Sequence, residues 1–143
     1  MNILFLCTGN TCRSPMAEGI FKEFLKINSK LSNITVSSAG LMANNGDLVA
    51  ENAVNACKEY NADISAHKAK QITVEMLDNT DLFVCMTMNH AQALISGNVP
   101  KDKIYVLNVD DPYGGDLVTY QNCCNQIYEQ LIILAEILAR KNG

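Results

Sequence analysis

The order of apolar segments predicts an α/β fold, in which a parallel sheet is covered by helices on both faces. Short apolar runs of strand length alternate with longer segments in which apolar residues recur every three or four positions. The run 82–86, Leu-Phe-Val-Cys-Met, is apolar throughout, as strands buried on both faces of a parallel sheet are. Strands alternating with helices indicate a parallel sheet between helical layers.

Four segments are predicted as strands, and a polar loop follows the first and the last of them. The predicted strands are 2–6, 33–38, 82–86 and 104–107. The turn Thr8-Gly9-Asn10 follows the first strand, and the loop 110–115, Asp-Asp-Pro-Tyr-Gly-Gly, follows the last. Because ligands of such folds bind at the carboxyl ends of the strands, we expect both loops at one rim of the sheet.

The helical segments are recognised by one apolar stripe each and by their start signals. Ser14 is a favoured N-cap residue, and Pro15 suits the first helical position because its missing N–H has no partner there anyway. We predict helices from Ser14 and over 48–60, 90–95 and 118–140. The first is expected to bury Met16, Ile20, Phe24 and Ile27, and the last Cys124, Ile127, Leu131, Leu134 and Leu138.

Length and composition limit the classes of protein to which the chain can belong. With 143 residues, 48% of them hydrophobic, and no linker or repeat, the chain predicts a single domain over residues 1–143. A net charge of −4 argues against a nucleic-acid partner. No stretch approaches the ~18 apolar residues of a membrane span, and the apolar start is too short for a signal peptide. We therefore expect a cytoplasmic monomer without membrane contact.

The six cysteines are predicted to be free thiols in a reducing compartment. They stand at positions 7, 12, 57, 85, 123 and 124, without an export signal. No Cys-x2-Cys pair occurs, and the two histidines lie far apart in the sequence. These spacings do not match a zinc site, so we predict neither a metal nor another cofactor.

The strongest chemical signal is the segment from Cys7 to Ser14, Cys-Thr-Gly-Asn-Thr-Cys-Arg-Ser. In a turn between a strand and a helix, successive backbone N–H groups point inward and form an anion-binding nest next to a helix N-terminus. That field favours a thiolate at Cys7 over a thiol. Arg13 supplies a planar fork that matches two phosphate oxygens. The segment therefore predicts a phosphate-binding loop with a cysteine nucleophile.

Gly9 and Ser14 are given supporting roles in this loop. Gly9 is expected to adopt a backbone conformation that other residues avoid, and Ser14 to donate a hydrogen bond to the Cys7 sulfur. An isolated Cys-x5-Arg is more often a buried cysteine and a surface arginine. Here the strand, the turn glycine and the Ser-Pro helix start all stand where the chemistry needs them.

Asp111 is the predicted general acid. A phosphoryl group is transferred easily only if the departing atom gains a proton, which a nearby carboxyl group can supply. Asp111 is followed by Pro112, which stiffens the loop that carries the carboxyl group. By itself an Asp-Pro pair is an ordinary turn, and the neighbouring Asp110 competes for the same role.

Together these residues resemble the low-molecular-weight protein phosphatases. The signature is 7–18, Cys-Thr-Gly-Asn-Thr-Cys-Arg-Ser-Pro-Met-Ala-Glu; further blocks are Ser38-Ala39-Gly40, His67 and 111–115. The resemblance covers essentially the whole chain. It implies a flavodoxin-like three-layer sandwich with a four-stranded parallel sheet, and a cysteinyl-phosphate intermediate formed on phosphorylated protein substrates. It implies Cys7 as nucleophile, Arg13 as phosphate clamp and Asp111 as general acid. The phosphate-binding loop follows Cys7 and consists of Thr8, Gly9, Asn10, Thr11, Cys12, Arg13 and Ser14. A supporting polar network is implied for Asn10, Ser14, Ser38 and His67.

Two substrate classes occur in this family, and Thr11 favours phosphoarginine. Phosphotyrosine enzymes typically carry isoleucine at this position, whereas Thr11 and the segment 86–90, Met-Thr-Met-Asn-His, resemble the protein-arginine phosphatases. The segment 67–73 looks more like the phosphotyrosine members. A threonine hydroxyl suits a polar guanidinium, while isoleucine packs against a phenyl ring. A protein-tyrosine phosphatase is therefore the alternative.

Two further classes use a similar loop. A thiol-dependent arsenate reductase needs additional cysteines that resolve an oxidised intermediate, and Cys85, Cys123 and Cys124 are predicted in a strand and a helix instead. A phosphocysteine carrier domain should not accelerate hydrolysis of its phosphocysteine. The presence of Arg13 and Asp111, which would accelerate it, argues against a carrier. Cys12, in the same loop as Cys7, is a candidate redox partner that closes a disulfide after oxidation of Cys7; an equally good interpretation is that it only fills space.

Overall fold

Four parallel strands form the sheet at the centre of the protein. The computed structural model describes residues 1–142, and Gly143, the last residue of the predicted domain, lies outside the described residues. The strands are β1 (Asn2–Cys7), β2 (Thr35–Gly40), β3 (Leu82–Cys85) and β4 (Ile104–Val106). Their order is β2-β1-β3-β4, and all pairs are parallel. This is the order of a flavodoxin-like sheet, so the predicted fold class is confirmed.

Helices cover both faces of the sheet and create two apolar layers. They are α1 (Arg13–Ile27), α2 (Glu51–Cys57), α3 (Val74–Asn79), α4 (Met88–Ser96) and α5 (Leu117–Asn142). Alternate residues of β1 point to opposite faces: Phe5 packs in a cluster with residues of α1, α2 and α5, and Leu6 packs in another with residues of α4. The three layers place the carboxyl end of the central strand β1 between helices on both sides.

The start and the end of α1 differ from the prediction. The helix already begins at Arg13, and Ser14 does not cap it, because its hydroxyl is bonded within the loop to Cys7 and Asn10. Ile27 was expected in the buried stripe, and this is wrong: its side chain is 85% exposed. The chain leaves the helix at Asn28, and Leu31 in the following turn is buried in the core.

Two other helices were placed incorrectly or missed. The helix predicted over 48–60 begins only at Glu51, since Leu48 pairs with Lys68 in an isolated bridge. A single 3-10 turn completes that segment. The helix α3 was not predicted, because none of its six residues is buried and it therefore shows no apolar stripe. Its one start signal is Thr73, whose hydroxyl accepts a hydrogen bond from the Met76 N–H.

The helices were also searched for membrane-spanning character. Within residues 1–142 no helix combines the length and the apolar character that crossing a bilayer requires.

Candidate active site

Two loops meet at the carboxyl edge of the sheet, as expected from the strand order. The segment 8–12 connects β1 to α1, and the chain from 107 to 116 connects β4 to α5. They are joined where the Arg13 Nη1 donates a hydrogen bond of 3.1 Å to the Val109 carbonyl. A cavity of about 300 Å³ opens between them. Its lining includes Cys7, every residue from Thr8 to Arg13, and Asp111.

Asn10 determines the shape of the first loop. It is fully buried and has a φ of 58°, in the left-handed region that asparagine tolerates better than most residues. The expectation that Gly9 takes a special conformation is wrong, because its φ is not positive. The glycine that the loop needs is Gly40, since a Cβ there would lie 2.5 Å from the Thr8 carbonyl oxygen. The end of β2 thus approaches the loop backbone closely.

The hydrogen bonds of Asn10 organise the polar groups under the loop. Its Oδ1 accepts from the Lys70 N–H at 2.9 Å, which fixes the amide so that Nδ2 faces the two serines. Nδ2 donates to the Ser14 Oγ at 2.7 Å and to the Ser38 Oγ at 3.0 Å. Because the Ser14 Oγ accepts this hydrogen bond from Asn10, its own hydroxyl proton is free to point at the Cys7 sulfur.

Cys7 lies where an anionic sulfur would be stabilised. Its Sγ is 2.8 Å from the Ser14 Oγ and accepts from the Asn10 N–H at 3.3 Å. It stands at the carboxyl end of β1, just before α1 begins at Arg13, and is 3% exposed. A thiolate here meets hydrogen-bond donors and a helix N-terminus, which is the environment that activates cysteine nucleophiles.

Ser38 and His67 extend this network as the resemblance implies. The Ser38 hydroxyl donates to the Glu18 carboxylate, and the His67 Nε2 is 3.0 Å from the Asn10 carbonyl oxygen. Since a carbonyl only accepts, Nε2 carries the proton. Burial lowers the pKa of His67, so the ring is neutral near pH 7. Glu18 belongs to the quoted signature, but a role for it was not predicted.

Arg13 and Asp111 face each other across the cavity. The guanidinium is 5% exposed and its Nη2 is 3.8 Å from the Asp111 Oδ2. The Asp111 side chain is 55% exposed, and its Oδ1 accepts from the Tyr113 N–H. Asp110 lines a neighbouring cavity but not the one that Cys7 lines. The geometry therefore favours Asp111 over Asp110 as the proton donor.

Cys12 is a buried residue of this loop and contributes to the cavity lining. Its Sγ is 3.2 Å from the Tyr120 Oη, and burial raises its pKa. Thr11 stands beside it with Oγ1 3.7 Å from the same sulfur. A raised pKa keeps Cys12 protonated near neutral pH. The redox role of Cys12 stays a prediction.

The remaining cysteines are core residues. Cys85 is the last residue of β3, and burial raises its pKa to about 12. The pKa of Cys123 in α5 is also raised to about 12, mainly by burial. Cys57 and Cys124 contact each other at 3.8 Å between α2 and α5, with both side chains fully buried. All six cysteines lie within the described residues, and each is buried and free. The arsenate reductase interpretation therefore lacks the accessible cysteine pair that it requires.

The structure adds residues to the site that the sequence did not reveal. The cavity that Cys7 lines is also lined by four exposed residues, Met42, Asn44, Asp47 and Tyr113. Three of them lie between β2 and α2, a segment that carries no recognisable chemical motif. Tyr113 belongs to the block that begins at Asp111.

Comparisons with known proteins match the geometry. The sequence model of the family described as low molecular weight phosphotyrosine protein phosphatase matches residues 2–143. A protein-arginine-phosphatase of Bacillus subtilis is 34% identical, over 98% of each chain. The low molecular weight protein-tyrosine-phosphatase PtpB of Staphylococcus haemolyticus is 37% identical, over 94% of each. The solved YwlE arginine phosphatase with a phosphorylated active site serine superposes with a TM-score of 0.90, at 33% identity and full coverage of both chains.

Proposed function

The chain belongs to the low molecular weight phosphotyrosine protein phosphatases, cysteine-dependent enzymes, and we propose that it hydrolyses phosphoarginine in proteins in preference to phosphotyrosine. The observation that carries this proposal is the lining of the catalytic cavity, in which Thr11 stands where an apolar wall would be and the Asp47 carboxylate accompanies the buried Arg13. The existence of arginine and tyrosine phosphatases at similar identity leaves the choice to this lining.

The first chemical step is attack of the Cys7 thiolate on phosphorus. The S–P bond forms while the bond from phosphorus to the leaving nitrogen or oxygen breaks, and Asp111 gives its proton to the departing atom. Arg13 and the loop N–H groups bind the phosphoryl oxygens as charge develops on them. Water then attacks the cysteinyl phosphate, with Asp111 accepting its proton. The Cys7 thiolate leaves, stabilised by the Ser14 hydroxyl 2.8 Å away.

The charges around the cavity suit a substrate that carries both signs. Arg13 is the cation at the buried side, where the phosphoryl group binds. Asp47 is an exposed carboxylate at the wall, where a guanidinium group would pass. A neutral phenyl ring would offer the Asp47 carboxylate no partner of opposite charge. This arrangement supports the choice of arginine over tyrosine.

Thr11 adds a polar contact at the same wall. Thr11 lines the cavity, and a threonine hydroxyl can hydrogen-bond a guanidinium, which an isoleucine cannot. Losing one such contact costs about 1–3 kcal/mol, and about 1.4 kcal/mol corresponds to a tenfold change in efficiency. Thr11→Ile should therefore shift the ratio of kcat/KM values from phosphoarginine toward phosphotyrosine by about ten- to hundredfold.

The experiment measures kcat/KM on peptides that differ only in the phosphorylated residue. Thr11→Val removes the hydroxyl at constant shape, and Thr11→Ser keeps the hydroxyl and removes the methyl group, so the two separate polarity from bulk. We expect Thr11→Val to follow Thr11→Ile and Thr11→Ser to stay near the wild type. A wild type that prefers phosphotyrosine, or a ratio unmoved by Thr11→Ile, contradicts the proposed preference while leaving the family's phosphatase chemistry intact.

A further inference from the structure

A second cavity of about 450 Å³ adjoins the catalytic one, and we infer that it binds the polypeptide main chain next to the phosphorylated residue, with Thr8 as a hydrogen-bond donor that His90 positions. The two cavities share the walls formed by Thr8, Arg13, Met42 and Asp111. A chain whose phosphorylated side chain enters the first cavity therefore passes the mouth of the second. This inference rests on the family's action on phosphorylated proteins and not on the choice between arginine and tyrosine.

His90 is held in one orientation and one tautomer. It stands in the first turn of α4 and is 5% exposed. Its Nδ1 accepts a hydrogen bond of 3.2 Å from the Thr87 N–H, so the ring proton must lie on Nε2. Burial, together with the positive charge of Arg13, lowers the pKa of His90 to about 4, which keeps the ring neutral. The neutral imidazole thus presents Nε2–H as a donor.

That donor meets Thr8, the residue after the nucleophile. The His90 Nε2–H donates a hydrogen bond of 3.0 Å to the Thr8 Oγ1. The Thr8 hydroxyl then keeps its own proton, and no group of residues 1–142 other than His90 is hydrogen-bonded to that hydroxyl. Thr8 is exposed and lines both cavities. Its hydroxyl proton is consequently available to an acceptor of the substrate at the boundary between them.

The second cavity offers groups that match a peptide backbone. Asn89 and Asn108 are exposed at its lining, and within residues 1–142 neither carboxamide has a protein partner. A carboxamide both donates and accepts, as a peptide group does. Leu41 and Met42 supply apolar contact. A main-chain carbonyl of the substrate can accept a hydrogen bond from the Thr8 hydroxyl. Neighbouring peptide groups can then form hydrogen bonds with the carboxamides of Asn89 and Asn108.

The experiment compares a phosphorylated heptapeptide with the same phosphorylated amino acid blocked at both ends, using whichever phosphorylated residue the wild type hydrolyses. The measured quantity is the ratio of their kcat/KM values. In the wild type we expect the peptide to be favoured through a lower KM. Thr8→Val and His90→Asn should each lower the ratio about three- to tenfold, the value of one hydrogen bond. The double variant should fall no further, because both substitutions remove the same interaction.

Two amide variants separate positioning from a structural role of His90. His90→Gln places an amide nitrogen near the position of Nε2 and should restore the ratio, whereas His90→Asn places an amide oxygen near Nδ1 and should not. Asn89→Ala should also lower the ratio. Its control is Asn55→Ala, at a helical asparagine outside both cavities, which should leave kcat/KM unchanged for both substrates. A wild-type ratio near one overturns the inference. So does a His90→Asn defect that is equal for both substrates and appears in kcat with KM unchanged.

Discussion

The two loops of the active site are built in opposite ways. In the loop that begins at Cys7, Asn10 and Ser14 are fully buried. The Asn10 side chain makes three hydrogen bonds, to Ser14, Ser38 and Lys70. In the loop that carries Asp111, the carboxyl side chain is 55% exposed and Tyr113 is 80% exposed. The loop that we propose binds the phosphoryl group is therefore held in place by buried hydrogen bonds. The loop that carries Asp111, the proposed proton donor, is exposed to solvent, where it can meet leaving groups of different size.

The largest effect is expected from the nucleophile. Cys7→Ser should reduce turnover of an aryl phosphate by about a thousandfold or more, because a serine hydroxyl stays protonated at neutral pH. Binding of vanadate or phosphate should survive, since the loop N–H groups and Arg13 remain. Steady-state kinetics and a vanadate titration test this, with Arg13→Ala as the variant that should lose both rate and binding. Near wild-type turnover of Cys7→Ser would exclude a covalent cysteine mechanism.

The buried network should be sensitive to loss of a single amide. Asn10→Ala leaves the bonded groups of Ser14, Ser38 and Lys70 without their partner and places alanine in the left-handed region. We expect the free energy of unfolding to fall by about 3 kcal/mol. Urea denaturation measures it. Tyr113→Ala in the exposed loop is the control and should change stability by less than about 0.5 kcal/mol. Equal losses would abolish the contrast between the two loops.

Removing the acid should slow the chemistry without unfolding the site. Asp111→Asn should lower kcat by about a hundredfold for substrates with poor leaving groups, the range typical of general acids. The loss should shrink for aryl phosphates with acidic leaving groups, which need no proton. Asp110→Asn is the matched control and should have a much smaller effect. A larger defect at Asp110 would assign the proton transfer to that carboxylate.

Stability should also fall on acidification because of the two histidines. Burial lowers the pKa of both His90, to about 4, and His67, so the unfolded chain binds protons at a higher pH than the folded protein does. Stability is therefore lost as pH falls from ~6.5 toward ~4. His90 alone should account for about 2 kcal/mol between pH 7 and pH 5. Urea denaturation at both pH values measures this, and His90→Gln should reduce the loss. An unchanged pH dependence in that variant would contradict the assignment.

Prediction from the sequence succeeded where local pattern and chemistry agree. The strand 82–86, the turn after Cys7 and the long helix near the carboxyl end all carry their signal in adjacent residues. It failed where a distant contact decides. Ser14 has the side chain of a helix cap, but Asn10 and Cys7 engage its hydroxyl instead. Ile27 continues an apolar stripe, but the helix ends there and Leu31 takes its place in the core.

The sequence by itself determined the fold class and the chemistry of the first loop. Apolar periodicity specifies which segments become strands and helices, and the run from Cys7 to Arg13 contains the proposed nucleophile, anion nest and phosphate clamp within one turn. Only the tertiary structure decided which distant side chains complete the site. Asp47, Tyr113 and His90 reach the two cavities from separate connections at the same edge of the sheet. No local pattern encodes that proximity, because it arises from the order in which the four strands pair.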